Sequence, residues 1–400
     1  MKIKSRIISL MLAGLLCVCA LMVGCAKKET VTEDERIPAG TTDVEENTDV
    51  SEEETEPEIN EAPPTEEDVE VEEEIEEEPP KVLYKNPLTG LACKEELINK
   101  RPVAMMINNI KQAIPQLGIS NADIMYECIV EGGITRLMCV FLDYENLPVT
   151  GSVRSSRDYY IDIAQSHDAI YAHCGGSEDA YSTIAERRID NIDGVRGSYA
   201  ASSAYWKDQD RVRNMGYEHA SMTNGENIAK AIANLNYRTT ISENFTQPIS
   251  FHPEETPFSG EGARSITISY SGSYSRSFFD YDEETGVYKK GQYGQAHIDA
   301  NTNEAVTFEN IIVLGVNYRD TGDSYHHLVM TFAGEGKGYY AANGVIKEIV
   351  WKKPDRQTPY ALYETDGVTP LLLNPGKSYI GLSNGLSQVK YSPTDDYTIE

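Results

Sequence analysis

Between residues 29 and 80 the chain carries 24 Asp or Glu residues against a single base, Arg36. Such a stretch cannot bury enough apolar surface to offset its conformational entropy, so the fold must lie outside it. It holds repeated Glu-Glu runs and Pro57, Pro63, Pro64, Pro79 and Pro80. Self-repulsion extends a chain of this kind. As a coil it spans roughly 40 Å from Cys25 to Tyr84, and at full extension about 200 Å at most. The stretch accounts for −23 of the net −29, and the 28 residues before it carry +5, which leaves −11 for residues 81–400. The acidity therefore belongs to a tether, and the folded part offers no basic patch for nucleic acid.

Residues 1–24 read as a secretory signal. Lys2, Lys4 and Arg6 precede an apolar run from Ile7 to Val23, which ends in Met22-Val23-Gly24-Cys25. The run is short for a spanning helix, and signals of this shape are removed. A small residue directly before cysteine resembles the bacterial lipobox, in which Cys25 becomes the lipidated N-terminus. Acyl chains such as palmitate then hold the protein at the outer face of the cytoplasmic membrane, each buried CH₂ contributing about 0.8 kcal/mol. Export permits disulfides. Of Cys93, Cys128, Cys139 and Cys174, the pair Cys128 and Cys139 flanks an expected hairpin; buried free thiols are the other reading.

The pattern gives a mixed α/β (α+β) domain over 84–247, a β-rich domain over 248–392 and a tail over 393–400, all preceded by the disordered acidic linker of 25–83. Pro102 to Ile107, Met125 to Val130, Thr135 to Leu142 and Asp168 to Cys174 read as strands, with Glu131-Gly132-Gly133-Ile134 as a hairpin turn. Ser155 and Asp158 fit a capping box opening a helix to Ser166, and helices follow over 178–188 and 225–235. Past Gln247, Ser265–Tyr270 alternates with period two, and Phe278–Tyr281, Val287–Lys290, Val306–Val316, His326–Phe332, Val345–Trp351 and Ser378–Leu382 read as further strands between turn signals such as Gly334-Glu335-Gly336.

Several stretches carry a family resemblance: Asn86-Pro87-Leu88-Thr89-Gly90, Val130 to Arg136, Val153-Arg154-Ser155-Ser156-Arg157, His173-Cys174-Gly175-Gly176-Ser177, His297 to Thr302 and Leu373 to Ser378. Together they resemble the YerB-like bacterial lipoproteins, which carry a two-part domain of unknown function. The resemblance covers nearly all of 84–385. It implies a membrane-anchored, extracytoplasmic protein and no established activity. It departs at Ala220, where the family places Asn after the histidine matching His219.

Arg154 and Arg157 bracket the expected helix start, where unpaired N–H groups and the dipole favour an anion. Their guanidiniums suit phosphate or carboxylate, unless structural carboxylates such as Glu127, Glu131 or Asp123 claim them. His173 ends a strand and could act as a general base, with Ser177 binding an anion or simply capping the next helix. His219 and Glu131 complete the candidates. Gly-Gly-Ser is not a nucleophile elbow, the histidines show no metal spacing, and no cofactor motif is present. His326 and His327, on one strand, would diverge. Asp280 to Gly286 places its glycine one position late for a calcium loop, so it reads as a hairpin turn.

With no complete catalytic set, the leading reading is a non-catalytic module binding an envelope protein or an anionic glycopolymer, its effective concentration raised by the tether. The alternative is a hydrolase or transferase acting on an envelope phosphodiester or glycan. Arg154 and Arg157 would hold the anion, His173 or His219 would serve as acid–base, and Glu131 would be the carboxylate.

Overall fold

Three runs near the start of the folded part, β1 (Val103–Asn108), β2 (Ile124–Ile129) and β3 (Thr135–Phe141), are buried at every position. Strands of that kind need cover on both faces, and the rest of the chain supplies it. The computed structural model describes residues 83–272 and 274–394. The signal segment, Cys25, the tether to residue 82 and the tail from residue 395 lie outside them.

β2 and β3 form the expected hairpin, with Gly132 and Gly133 at φ +70° and +72° in its turn. β4 (Ile170–His173) and β5 (Asn191–Asp193) add parallel strands beside β1. The second half contributes β6 (Ser265–Ser271), β7 (Ser275–Asp282), β8 (Val287–Gln292), β9 (Asn310–Asp320), β10 (Gly334–Ala342), β11 (Val345–Lys353), β12 (Ser378–Asn384) and β13 (Val389–Ser392). The main sheet runs β11-β10-β9-β12-β2-β3-β1-β4-β5, with three short strands added along it to make twelve. β12 lies parallel to β2, Gly381 opposite Glu127, so the ladder crosses from one half of the chain to the other. Both halves belong to one compact unit.

β8, β7, β6 and β13 form a second sheet on one face of the first. Bonds between the facing surfaces include Ser277 Oγ to Glu127 and the Tyr270–Tyr379 hydroxyl pair at 2.6 Å. The other face of the main sheet takes α1 (Asp158–Gln165), whose Tyr160 hydroxyl donates to Arg136 O at 2.6 Å. α2 (Glu178–Arg187), α3 (Gln209–Asn214) and α4 (Gly225–Asn234) follow, capped by the side chains of Ser177, Asp208 and Asn224. Every α-helix of the described residues lies in the first half, while the second holds strands and turns.

Local readings are corrected at three places, and the cysteines fall to the free-thiol reading. Arg157, not Ser155, stands at the N-cap of α1, and no side chain caps it. The chain stays extended through Arg157, and Ser156 Oγ bonds Tyr171 instead. Gly334-Glu335-Gly336 is no turn but the start of β10. A Cβ on Gly336 would sit 2.7 Å from the Trp351 indole, so glycine there admits the ring opposite. His326 precedes its strand at φ +55°, and each histidine has its own carboxylate: His326 with Asp320 at 2.8 Å and His327 with Asp323 at 2.6 Å. All four described cysteines are free. Cys128 pairs opposite Arg136 and Cys139 opposite Met125, which puts the two thiols on opposite faces of the sheet.

Gly225 at the start of α4 meets the turn at Tyr144–Asn146 so closely that a Cβ would stand 2.2 Å from Glu145 O. Alanine ordinarily favours a helix by up to about 1 kcal/mol. Here Gly225→Ala is expected to lose about 1–3 kcal/mol from the forced shift, read as a lowered urea midpoint; an unchanged or raised midpoint would contradict this packing.

Candidate functional site

β1 ends at Asn108, Asn109 follows it, and the chain then turns back through Lys111–Ala113 and the cis Ile114–Pro115 bond. Arg211, from α3, fixes this turn. It donates to Ala113 O at 2.6 Å, Pro115 O at 3.1 Å and His219 O at 2.9 Å. Three polar groups therefore collect around residues 108–118.

The first is cationic. The short turn Tyr217–His219 presents two carbonyls to two bases: Arg154 donates to Glu218 O at 3.2 Å, and Lys207 to Tyr217 O at 2.9 Å. Lys207 also bonds Ser221 Oγ at 2.8 Å and lies 3.9 Å from the centre of the Tyr217 ring. Among the described residues no carboxylate lies within ion-pair distance of either base, whereas Arg101, Arg136, Arg157, Arg187 and Arg356 all have one. Arg154 is only partly exposed, and Glu218, on the same turn, acts on both bases from beyond ion-pair distance. His219 sits between them, its Nδ1 2.9 Å from the Asn108 amide nitrogen, which donates to it. The ring's proton is then on Nε2, 3.5 Å from Glu218. Burial, with Arg154 next, pulls its pKa below the usual histidine range.

The second group is the interior. Glu127 Oε1 accepts from Thr135 at 2.6 Å and Asn109 at 3.2 Å; Oε2 accepts from Ser277 at 2.7 Å and Tyr379 at 2.8 Å, with Lys290 Nζ at 3.3 Å. Burial pushes the Lys290 ammonium below its ordinary range, and Glu127 works against that.

The third is a cleft of about 500 Å³ lined by Ile114 and Pro115 from the first half and by Gln292, Gln295, His297 and Asn303 from the second. Gln116 links it to the rest. Its amide donates to Asn108 O at 2.9 Å and Asn109 Oδ1 at 3.0 Å, and its Oε1 lies 2.9 Å from His297 Nε2.

The residues singled out from sequence are spread differently. Arg157 is taken up by Glu131, with Nη2 2.8 Å from Oε2 and Nε on Oε1. Burial would raise the Glu131 carboxyl, but the Arg157 bond prevails and holds it below the usual range. His173 is fully buried, Nδ1 2.9 Å from Gly175 O and Nε2 3.2 Å from Asn191 Oδ1, so neither ring nitrogen is open. Ser177 caps α2, accepting from Ala180 N at 3.2 Å. Arg154 and His219 stand together; Arg157 with Glu131, His173 and Ser177 serve other contacts. Lys207 lies in the polar stretch Trp206–Arg213 ahead of His219, which reads from sequence as a lid, a partner surface or a solvated loop, while Gln292 and His297 carry no site reading from sequence. The one sequence signal for Gln292 is that it alternates with the buried Tyr288 and Lys290 along β8.

The N-terminal domain of the family described as "Protein of unknown function (DUF3048)" matches residues 88–238, and its C-terminal domain matches 266–380. Arg154, Lys207 and His219 fall in the first match, Gln292 and His297 in the second. YerB of Bacillus subtilis (strain 168), a candidate lipoprotein by name, is 27% identical over 319 residues, 77% of this chain and 88% of that protein. The crystal structure of YerB superposes with a TM-score of 0.67 at 25% identity, covering 77% of this chain and 99% of the other.

Proposed function

This chain belongs to the YerB-like family built from the two DUF3048 domains, and from that premise we propose that its folded part is a tethered module binding an anionic polymer of the cell envelope. Anchoring rests on the name of the relative and on Met22-Val23-Gly24-Cys25, with Cys25 taking the lipid. Among the described residues no helix is long and apolar enough to cross a membrane. The acidic stretch keeps the module clear of an anionic surface and able to search for ligand.

One observation carries the reading: Arg154 and Lys207 share one turn with no carboxylate at ion-pair distance among the described residues, Glu218 acting on both only from farther off, and His219 Nε2 adds an N–H donor. A phosphate or carboxylate of the ligand would supply the missing charge, with Arg154 forking two oxygens and Lys207 acting as a point charge. Hydrolysis or transfer would need a free acid–base pair. The rings and carboxylate considered for it are engaged: His173 at both nitrogens, His219 at Nδ1, Glu131 by Arg157.

Poly(glycerol phosphate) at a hundredfold excess over Kd is expected to stabilise the protein against heat by about 2.7 kcal/mol at low salt. Arg154→Ala should weaken binding at least tenfold, about 1.4 kcal/mol, and added salt should erode it further. Equal thermal shifts for wild type and Arg154→Ala would remove the basis of the proposal.

A further inference from the structure

The cleft between Pro115 and Gln292 has a lining unlike the cationic turn beside it, and its chemistry is legible atom by atom. Its rim is exposed at Gln295, Ala296, Ala300 and Asn303, while Gln292 and His297 are 3% and 2% exposed. Register explains why these two stand together. Lys290 O accepts from His297 N, and Gln292 pairs with Gln295, so Gln292 and His297 are diagonal neighbours on one face of the second sheet.

Each of these side chains has one polar atom engaged and one without a partner. Gln292 Oε1 accepts from Lys290 Nζ at 3.3 Å, and its Nε2 has none. For His297 the tautomer follows from Gln116. The Gln116 amide nitrogen donates to two oxygens, so its Oε1 must accept, and His297 Nε2 must carry the proton. Burial keeps the ring neutral. His297 Nδ1 is then a bare acceptor, also without a partner. An orphaned donor and an orphaned acceptor, both buried and each costing about 1–3 kcal/mol if left unmet, therefore belong to two residues that line the cleft. No Asp, Glu, Lys or Arg lines it; Ile114, Pro115, Ile298 and Ala300 make its remaining surface apolar.

We propose that this cleft binds the acetamido group of an N-acetylated sugar. A secondary amide offers a C=O to Gln292 Nε2 and an N–H to His297 Nδ1, and its methyl group suits the Ile and Ala lining. The amides of Gln295 and Asn303 at the rim suit ring hydroxyls. A peptide carries the same amide, but peptides added to a sheet edge need a ladder, and the edge strand here is two residues long, Gln295–Ala296. The site deepens the envelope-binding reading, for which the cationic turn would take the charged part of a ligand and the cleft a neutral part.

The test is calorimetric titration of the full-length protein in detergent with three neutral probes: the N-acetylglucosamine trimer, cellotriose with hydroxyl in place of acetamido, and trialanine amide with a blocked N-terminus. The acetylated trimer should bind at least tenfold more tightly than cellotriose. Gln292→Glu keeps an acceptor for Lys290 but removes the amide donor, so the folded variant should lose at least tenfold in that affinity. Equal binding of trimer and cellotriose, no binding of either, or an unchanged folded Gln292→Glu would overturn the proposal, and preference for the blocked peptide would transfer the cleft to peptides. Because poly(glycerol phosphate) is read at Arg154, its binding should be untouched by Gln292→Glu. A wild type that binds the polymer but not the acetylated trimer therefore defeats this inference alone, and one that binds the trimer but not the polymer defeats the envelope-polymer reading alone.

Discussion

Glu127→Ala is expected to cost about 3–5 kcal/mol, the range for breaking a buried ion pair by removing one partner. That is a large share of the roughly 5–15 kcal/mol by which a typical domain is stable. The carboxylate joins the two sheets. It takes hydrogen bonds from Thr135 and Asn109 on the main-sheet side, from Tyr379 on β12 and from Ser277 on β7, and it is the ion-pair partner of the buried Lys290. Alanine would leave an ammonium and several hydroxyls in a dry interior. Lysine removal alone should cost less, because the carboxylate keeps its four hydrogen bonds. The double change Glu127→Leu with Lys290→Met should recover much of the loss, since an apolar pair of similar volume leaves no uncompensated charge. Urea unfolding of the three variants checks this. A Glu127→Ala protein within 1 kcal/mol of wild type would mean the pair does not hold the sheets together.

Stability should also fall steeply as the solution is acidified from pH 6.5 towards 4.5. His167 and His297 are buried, and burial pulls both pKa values down, that of His167 to about 3. In the unfolded chain each returns to about 6.5. Between those limits the unfolded state binds protons that the folded state refuses, so the full contribution is present above pH 6.5 and is lost as pH falls. Each histidine contributes up to about 1.36 kcal/mol per pH unit. Asp123 and Asp162 oppose this, because burial raises their carboxyls. Urea midpoints at pH 7.5, 6 and 5 should drop in sequence, and His167→Gln should flatten the dependence by about one proton. A flat profile over that range would contradict the neutral buried rings.

Much of the local structure was legible because it is written locally. Gly132-Gly133 between two apolar runs has few outcomes besides a hairpin, and Ser177 ahead of Glu178-Asp179 caps a helix wherever it lies. What escaped depends on partners far along the chain. β12 docks beside β2 from more than 250 residues away, and nothing in Ser378 to Leu382 says which strand it will pair with. The same holds at the site. Arg154 and Arg157 look equivalent by spacing, but the β2–β3 turn delivers Glu131 to Arg157, while the Tyr217–His219 turn delivers Lys207 to the side of Arg154. Gln292 and His297 gain their meaning only when Gln116, on the other half of the chain, fixes the imidazole tautomer.

Phosphorus NMR of poly(glycerol phosphate) titrated with the full-length protein reports directly on whether Arg154 and Lys207 hold an anion. The phosphate lines should broaden and shift with wild type and stay sharp with the folded Arg154→Ala, Lys207→Ala double variant. Broadening of equal size with that variant, or none with wild type, would contradict the assignment of the turn at Tyr217–His219 as the ligand's seat.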